Sequence, residues 1–178
     1  SREIKLGITL PLTGIASPGF NKIGNAMTAY FKYVNENGGV YGRKVTLIQK
    51  NDEYAPQLSI AKTNELILKD KVFALVGPLG TANYNAVHNS LQLARRKVPA
   101  LFVNTGFSGF GNKKKYPTTF MTLSSYAMEA KILAQFIKEN HAGKKLGIVY
   151  QNDEFGIDSL KAFAAAGTKF DVSVPYTN

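Results

Sequence analysis

The residues best placed for chemistry stand in short loops after apolar runs, and most are hydroxyls, amides and aromatic rings: Thr13, Thr81, Asn83, Asn104, Thr105, Phe107 and Phe155. Groups of these types bind a small solute through hydrogen bonds and apolar contact. Backbone amides at helix starts, together with the hydroxyl of Thr81, can receive a carboxylate. Each residue also fits a structural role, in a turn or in the core, so the pattern leaves both interpretations open.

Gly14 and Gly19 have the spacing of a phosphate-binding loop, but the charge that such a loop needs is missing. The loop carries Lys and then Ser or Thr directly after its second glycine. Phe20 and Asn21 stand there instead, so the phosphates of a nucleotide would have no cationic partner. The Gly-x-Gly-x-x-Gly pattern of dinucleotide enzymes follows none of the predicted strands. We therefore expect no cofactor.

Ser108 lies in Gly106-Phe107-Ser108-Gly109, which resembles the start of a hydrolase nucleophile elbow. Position 110 is Phe rather than the closing glycine, and His88 precedes the serine, whereas hydrolases of that fold place their histidine after it. We predict that the protein is not an enzyme and has no catalytic residue. An α/β hydrolase-like enzyme stays an alternative that needs a base from elsewhere.

Two acidic pairs, Asp52-Glu53 and Asp153-Glu154, directly precede predicted helices. Carboxylates there accept from free amides and favour the helix dipole, so capping explains them better than acid–base catalysis. The sequence has no cysteine and 2 histidines, which excludes disulfides, thiolate sites and a histidine-rich metal site. His88, inside a predicted helix, is expected at the surface or partly packed. We predict no metal.

The formal net charge is +10 and the sequence pI is about 9.7, which raises the question of an anionic partner. Apart from Lys113-Lys114-Lys115 and Arg95-Arg96-Lys97, the basic residues are scattered. An arginine-rich arm, zinc-finger spacing and an aromatic RNA-binding segment are all missing from the sequence. We predict no nucleic-acid partner, and we interpret the charge as solvation or as attraction to an acidic envelope.

Strand-like and helix-like patterns alternate along the chain. Strands are predicted over 4–10, 44–50, 72–76, 99–103, 119–122, 145–150 and 169–174. Helices are predicted from 20 to 34, 56 to 70, 81 to 96, 126 to 137 and 157 to 166. The alternation predicts an α/β fold with a parallel sheet flanked by helices on both faces. The apolar runs are too short to span a bilayer.

A short repeated segment indicates that the chain has two units. Lys5-Leu6-Gly7-Ile8 opens the first strand, and Lys145-Leu146-Gly147-Ile148 opens a later one, which predicts a second αβ unit from near residue 125. Ligands of open parallel sheets bind beyond the carboxyl ends of the strands. The candidate loops are therefore 11–19, 51–55, 77–81, 104–111 and 151–156.

Four ordered segments resemble the solute-binding proteins of branched-chain amino acid (Leu/Ile/Val) ABC transporters, which have the type I periplasmic binding fold. They are Ile-Lys-Leu-Gly-Ile-Thr-Leu-Pro-Leu-Thr-Gly at 4–14, Asn-Glu-Asn-Gly-Gly-Val-Tyr-Gly-Arg-Lys-Val at 35–45, Val-Gly-Pro-Leu-Gly-Thr at 76–81 and Tyr-Gln-Asn-Asp-Glu-Phe-Gly at 150–156. Members of that family have two Rossmann-like lobes joined by three crossing segments. The resemblance implies an N-terminal lobe at 1–119, a hinge crossing at 120–124 and the first part of a second lobe at 125–178, which stays incomplete.

The resemblance also implies a ligand site. The loop after the third strand gives a hydroxyl to the ligand carboxylate, the loop after the fourth gives backbone groups and a hydroxyl, and an aromatic before a glycine in the second lobe covers the ligand. The family's first loop often carries an aromatic, whereas this chain has Pro18 there and Phe20 close by. The predicted ligand-binding residues are Thr13, Pro18, Phe20, Leu79, Gly80, Thr81, Asn104, Thr105, Gly106, Phe107, Tyr126 and Phe155.

The function that the resemblance implies is that of an extracytoplasmic solute-binding component of an ABC importer. Such a protein binds a small organic acid, amino acid or amide between its lobes and presents it to a membrane permease. The expected location is periplasmic or extracellular, with or without a lipid anchor. A ligand-sensing domain of a receptor or regulator with the same fold is an alternative. If the chain ends inside its second lobe, its last strand should expose unpaired edges and apolar surface.

Overall fold

A computed structural model describes residues 2–177 as two sets of parallel strands with helices between them. The strands are β1 (Glu3–Leu10), β2 (Lys44–Asn51), β3 (Ala74–Val76), β4 (Ala100–Val103), β5 (Thr119–Met121), β6 (Gly147–Gln151) and β7 (Val172–Tyr176). The helices are α1 (Ser17–Phe20), α2 (Ile23–Glu36), α3 (Pro56–Leu68), α4 (Thr81–Ser90), α5 (Leu93–Arg96), α6 (Tyr126–Asn140) and α7 (Glu154–Ala165), with a 3-10 turn at Ser108–Gly111.

The strands form a five-stranded sheet in the order β2-β1-β3-β4-β5 and a two-stranded sheet of β6 and β7. All of the pairs are parallel. β1 pairs with β2 along its whole length, from Glu3 opposite Lys44 to Leu10 opposite Asn51. The predicted α/β fold with a helix-flanked parallel sheet is confirmed. Within residues 2–177, none of the helices has the length and hydropathy that a bilayer crossing requires.

The predicted helix at 81–96 is wrong as one piece, because it breaks into α4 and α5. Gln92 between them takes a positive φ of 50°, a conformation that costs energy for a residue with a side chain. Leu91 and Leu93 are nevertheless both buried in the core. Residues two apart cannot share one helical face, so the break is what lets both leucines pack inward.

The core of the five-stranded sheet joins α3, α4 and the loop before β5. Phe110 packs edge-on against Tyr84 and Tyr116, with ring centroids 5.2 and 4.9 Å away. The Tyr84 hydroxyl shares a 2.8 Å hydrogen bond with Thr119 Oγ1, and burial raises the pKa of Tyr84 to about 12. This aromatic cluster fixes the loop after β4, which carries part of the candidate site, onto α4.

His88 is buried, contrary to the surface or partly packed position that the sequence predicted. Its ring lies 4.5 Å from the ring of Tyr116 and 6.2 Å from that of Tyr84, centroid to centroid. Burial lowers the pKa of His88, and the nearby charge of Lys115 lowers it further, against an opposing contact from Asn89. The imidazole is therefore a member of the aromatic cluster.

The two-stranded sheet leaves much of its apolar surface open. Val149 on β6 and Val172, Val174 and Tyr176 on β7 are exposed. The inner face of α6 consists of Ala130 and Ala134, while Leu133 is 42% exposed. β7 begins at Val172, three residues later than predicted, and α7 begins at Glu154, three residues earlier.

Candidate functional site

A cleft with a volume of about 460 Å³ lies at the carboxyl ends of the strands, between the five-stranded sheet and the start of the second. Loops after β1, β2, β3 and β4 form one side, and residues around α6, β6, α7 and β7 form the other. Its walls are formed by Ile15, Ala16, Phe20, Tyr54, Leu79, Gly80, Thr81, Asn104, Thr105, Leu123, Tyr126, Gln151, Phe155 and Tyr176.

The loops after β3 and β4 are held together as an extension of the sheet. Leu79 and Asn104 form a parallel β-bridge, in which Asn104 N donates to Pro78 O at 2.9 Å. Gly80 follows with a φ of 101°, and a Cβ there would stand 2.5 Å from Asn83 Oδ1 and 2.9 Å from the Tyr54 ring. Only glycine meets both conditions without strain, so this residue fixes where α4 begins.

The polar end of the cleft is a chain of hydroxyls at the start of α4. Thr81 Oγ1 and Thr105 Oγ1 are 2.6 Å apart, and Thr105 Oγ1 lies 3.2 Å from the Tyr126 hydroxyl. Thr81 is the first residue of α4, where the amides of the first turn and the helix dipole favour a negative charge. Hydroxyls and helix amides in this arrangement can receive a carboxylate or a neutral acceptor.

The remaining walls are apolar and aromatic. Tyr126 and Phe155 pack together with ring centroids 5.3 Å apart, and Ile15, Phe20 and Leu123 also face the cleft. Phe155 owes its place to Asp153, whose carboxylate accepts from Phe155 N at 3.0 Å and caps α7. A ligand bound here would have a polar end near Thr81 and an apolar body against the rings.

Eight of the predicted ligand-binding residues line the cleft: Phe20, Leu79, Gly80, Thr81, Asn104, Thr105, Tyr126 and Phe155. The other four lie outside its walls. Thr13 Oγ1 accepts from Asn51 Nδ2 at 2.7 Å, Pro18 lies in the first turn of α1, and Phe107 packs on Phe110. Gly106 lies under the Tyr126 ring, which a Cβ would approach to 2.8 Å. Contact of any of the twelve with a ligand stays a prediction.

The sequence analysis missed Ile15, Ala16, Tyr54, Leu123, Gln151 and Tyr176. Tyr54 and Gln151 form a contact across the cleft, in which Gln151 Nε2 donates to the Tyr54 hydroxyl at 3.4 Å. Burial raises the pKa of Tyr54. Both residues lie in candidate loops of the sequence, 51–55 and 151–156, next to the acids Asp52 and Asp153. The sequence signal for these two residues was an aromatic ring, Tyr54, and a side-chain amide, Gln151, within two positions of those acids.

Asp52 does not cap α3, which corrects the expectation for the first acidic pair. Ala55 precedes the helix, and the buried Asp52 carboxylate accepts from Ser59 Oγ at 2.7 Å and Tyr54 N at 3.0 Å. Burial raises the pKa of Asp52, while both hydrogen bonds lower it. Asn83 Nδ2 donates to Ser59 Oγ at 2.9 Å. The acid thus links the Tyr54 loop to α3 and α4.

In the part of the chain that the structure describes, both the amide and the hydroxyl of Ser108 are engaged in hydrogen bonds to the second unit. Its amide donates to Asp158 Oδ2 at 2.8 Å, and its hydroxyl accepts from Ala127 N at 3.3 Å. His88 lies instead in the aromatic cluster with Tyr116. Residues 2–177 also contain no group of three His, Asp or Glu side chains that could hold a metal ion.

Comparison with known proteins gives a family match over almost the whole chain. The family model described as "Periplasmic binding protein" matches residues 3–177. The Leu/Ile/Val-binding protein BraC3 of Rhizobium johnstonii is 24% identical over 168 residues, which are 93% of this chain and 45% of the relative. The Leu/Ile/Val-binding protein homolog 3 of Brucella melitensis is also 24% identical, over 94% of this chain and 44% of its own length. The chain thus spans less than half the length of the curated relatives it matches.

Solved structures share the fold. A substrate-binding periplasmic protein from Ralstonia solanacearum has a TM-score of 0.88 at 24% identity, over 99% of this chain and 50% of its own. The branched-chain amino acid transporter substrate binding protein LivJ from Streptococcus pneumoniae, in complex with isoleucine, has a TM-score of 0.81 at 19% identity, over 98% and 50%. A solute binding protein of an ABC transporter from Rhodopseudomonas palustris, in complex with 3,4-dihydroxy benzoic acid, has a TM-score of 0.78 at 22% identity, over 99% and 48%. This chain belongs to the periplasmic binding protein family, and the type I fold and Leu/Ile/Val-binding resemblance predicted from its four sequence segments are confirmed.

Proposed function

We propose that this chain serves as the solute-binding component of an ABC importer. Such a component holds a small organic acid, amino acid or amide outside the cytoplasm. The observation that carries the proposal is the pair of hydroxyls of Thr81, at the start of α4, and Thr105, which line the same cleft as the rings of Tyr126 and Phe155. A polar anchor beside an aromatic wall is typical of sites that bind small molecules.

The size and lining of the cleft suit a small carboxylic acid. Its volume of about 460 Å³ lies in the range of small-molecule sites, about 300–1,000 Å³. The ligands named for two similar structures, isoleucine and 3,4-dihydroxy benzoic acid, each combine a carboxyl group with an apolar or aromatic body. A carboxylate at Thr81 would leave that body against Tyr126 and Phe155.

The proposed division of the chain gives each wall to a different lobe. Thr81 and Thr105 belong to the N-terminal lobe at 1–119, residues 120–124 form a hinge crossing, and Phe155 belongs to the part of the second lobe at 125–178. A solute bridging the two walls would shift the population toward closed forms. A membrane permease would recognise the closed form, in the periplasm or at the cell surface, where the protein is free or lipid-anchored.

Calorimetry of this chain with isoleucine and with 3,4-dihydroxybenzoate tests the proposal. We expect one of these acids to bind, and we expect Thr81→Val to weaken its binding about 10- to 150-fold, since a lost hydrogen bond to a charged group is worth about 1.5–3 kcal/mol. Thr28→Val is the matched control because Thr28 lies on α2, outside the cleft walls, and it should leave affinity unchanged. Equal affinity of the Thr81→Val variant and the unsubstituted chain would contradict the proposed anchor.

A further inference from the structure

The segments that lead into the strands of the five-stranded sheet all lie at one edge of the molecule. Because β1 to β5 are parallel, their amino ends share an edge opposite the cleft. The chain enters this edge at residue 2 and through segments 37–43, 69–73, 91–99 and 112–118. We call it the amino edge, and it includes Lys44, the first residue of β2.

Half of the basic residues of the chain stand at the amino edge. They occupy positions 2, 43, 44, 69, 71, 95–97 and 113–115, eleven of the 22 Lys and Arg residues, and all of them are exposed. The acids at this edge are Asp70, which pairs with Lys50 at 3.0 Å, and Glu3, the first residue of β1, whose carboxylate accepts from Thr46 Oγ1. The opposite edge consists of the loops 11–22, 52–55, 77–80 and 104–111. These loops carry one basic residue, Lys22, and two acidic residues, Asp52 and Glu53. The positive charge is therefore concentrated on the side away from the cleft.

Large apolar side chains are interleaved with these charges. Tyr41 is 96% exposed, Phe73 is 71% exposed and Leu68, at the end of α3, is 57% exposed. Tyr41 precedes Arg43, and Phe73 follows Lys71. Rings and leucines beside Lys and Arg are typical of surfaces that lie in the headgroup region of a membrane.

We propose that the amino edge binds the surface of a membrane containing anionic phospholipids. Five strands about 4.8 Å apart span roughly 19 Å, so several of the basic residues can reach headgroups at once. Each exposed cation within a Debye length of the surface adds to the attraction. The cleft at the opposite edge would then stay open to solutes. The inference does not depend on the proposed function, because it concerns different residues and a different partner.

Vesicle sedimentation tests this with two variants of equal charge change. The edge variant combines Lys69→Glu, Lys71→Glu, Arg95→Glu and Arg96→Glu. The control variant combines Lys131→Glu, Lys138→Glu, Lys144→Glu and Lys161→Glu, which are exposed positions on or near α6 and α7. The partners are phosphatidylcholine vesicles with and without phosphatidylglycerol, at about 0.1 M salt.

We expect the unsubstituted chain to bind the anionic vesicles and not the neutral ones. The edge variant should lose at least about tenfold in bound fraction, and the control variant should stay within about twofold. Equal losses in both variants would overturn the proposal in favour of overall charge. Binding to soluble polyglutamate together with no binding to anionic vesicles would overturn it in favour of an acidic protein partner.

A fluorescence experiment keeps the test valid if the edge variant does not fold. The sequence has no tryptophan, so Phe73→Trp introduces a single reporter at the amino edge. Anionic vesicles should shift its emission to the blue, while Ile132→Trp, on the exposed face of α6, should not change. A blue shift at Ile132→Trp with an unchanged Phe73→Trp spectrum would mean that another face meets the membrane.

Discussion

At the scale of single residues, backbone geometry and short contacts determine where the polar groups of the cleft stand. Gly80 allows α4 to begin at Thr81, and the Thr81 hydroxyl then reaches Thr105 at 2.6 Å. Sequence reasoning found these residues because loops after buried strands end at the ligand side of a parallel sheet. It missed Tyr54, whose contact with Gln151 joins residues 97 positions apart and depends on tertiary folding.

Gly80→Ala is predicted to destabilise the chain by about 2–4 kcal/mol, because it combines a strained φ with a steric clash. The new Cβ would stand 2.5 Å from Asn83 Oδ1. Gly38→Ala is the matched control, since Gly38 has a similar φ of 94° but open space around its Cβ position. Urea unfolding should show the larger loss for Gly80→Ala by at least about 1 kcal/mol. Equal losses would mean that the clash relaxes without cost.

At the scale of elements, the alternation of strands and helices could be predicted, but the interruptions could not. Buried runs and helical stripes depend on local patterns, which the sequence displays directly. The break at Gln92 depends on two leucines that both need the core, and the burial of His88 depends on Tyr116 packing against it. Such competition between local preference and packing is decided only in the folded chain.

The buried His88 should make stability depend on pH near neutrality. Its folded-state pKa is lowered, so the unfolded chain binds the proton more tightly and the free energy of unfolding falls as the pH drops below about 6.5. His88→Phe should remove that part of the dependence between about pH 7.5 and 5.5. His141→Phe, at the exposed end of α6, should leave it in place. Identical pH profiles for His88→Phe and the unsubstituted chain would contradict this account.

At the scale of the whole molecule, hydrogen bonds beside the cleft join the five-stranded sheet and its helices to α7 and so fix the position of the two sheets relative to each other. Ser108 N donates to Asp158 Oδ2 at 2.8 Å, and Asn85 Nδ2 donates to Glu154 Oε1 at 3.3 Å. These contacts lie outside the cleft walls, so they can affect solute binding only through the arrangement of the two sheets. Fold class and family could be predicted from the sequence, whereas these pairings could not.

Asp158→Ala should weaken solute binding about three- to tenfold without altering the cleft walls, because a lost hydrogen bond of about 1 kcal/mol would favour the open arrangement. Asp171→Ala is the matched control, because Asp171 also accepts from a backbone amide, that of Leu146 at 2.7 Å, but within the second unit. Calorimetry should show unchanged affinity for the control. Equal effects of the two substitutions would indicate general destabilisation instead of a cross-cleft contact.

The most direct test of the central claim is an NMR titration of the backbone amides with the acid that calorimetry identifies. The account predicts saturable shifts of the Thr81 and Ala82 amides at the start of α4, with the amide of Thr28 on α2 unchanged. Saturable binding that leaves the Thr81 and Ala82 amides unmoved would contradict the proposed anchor for the solute.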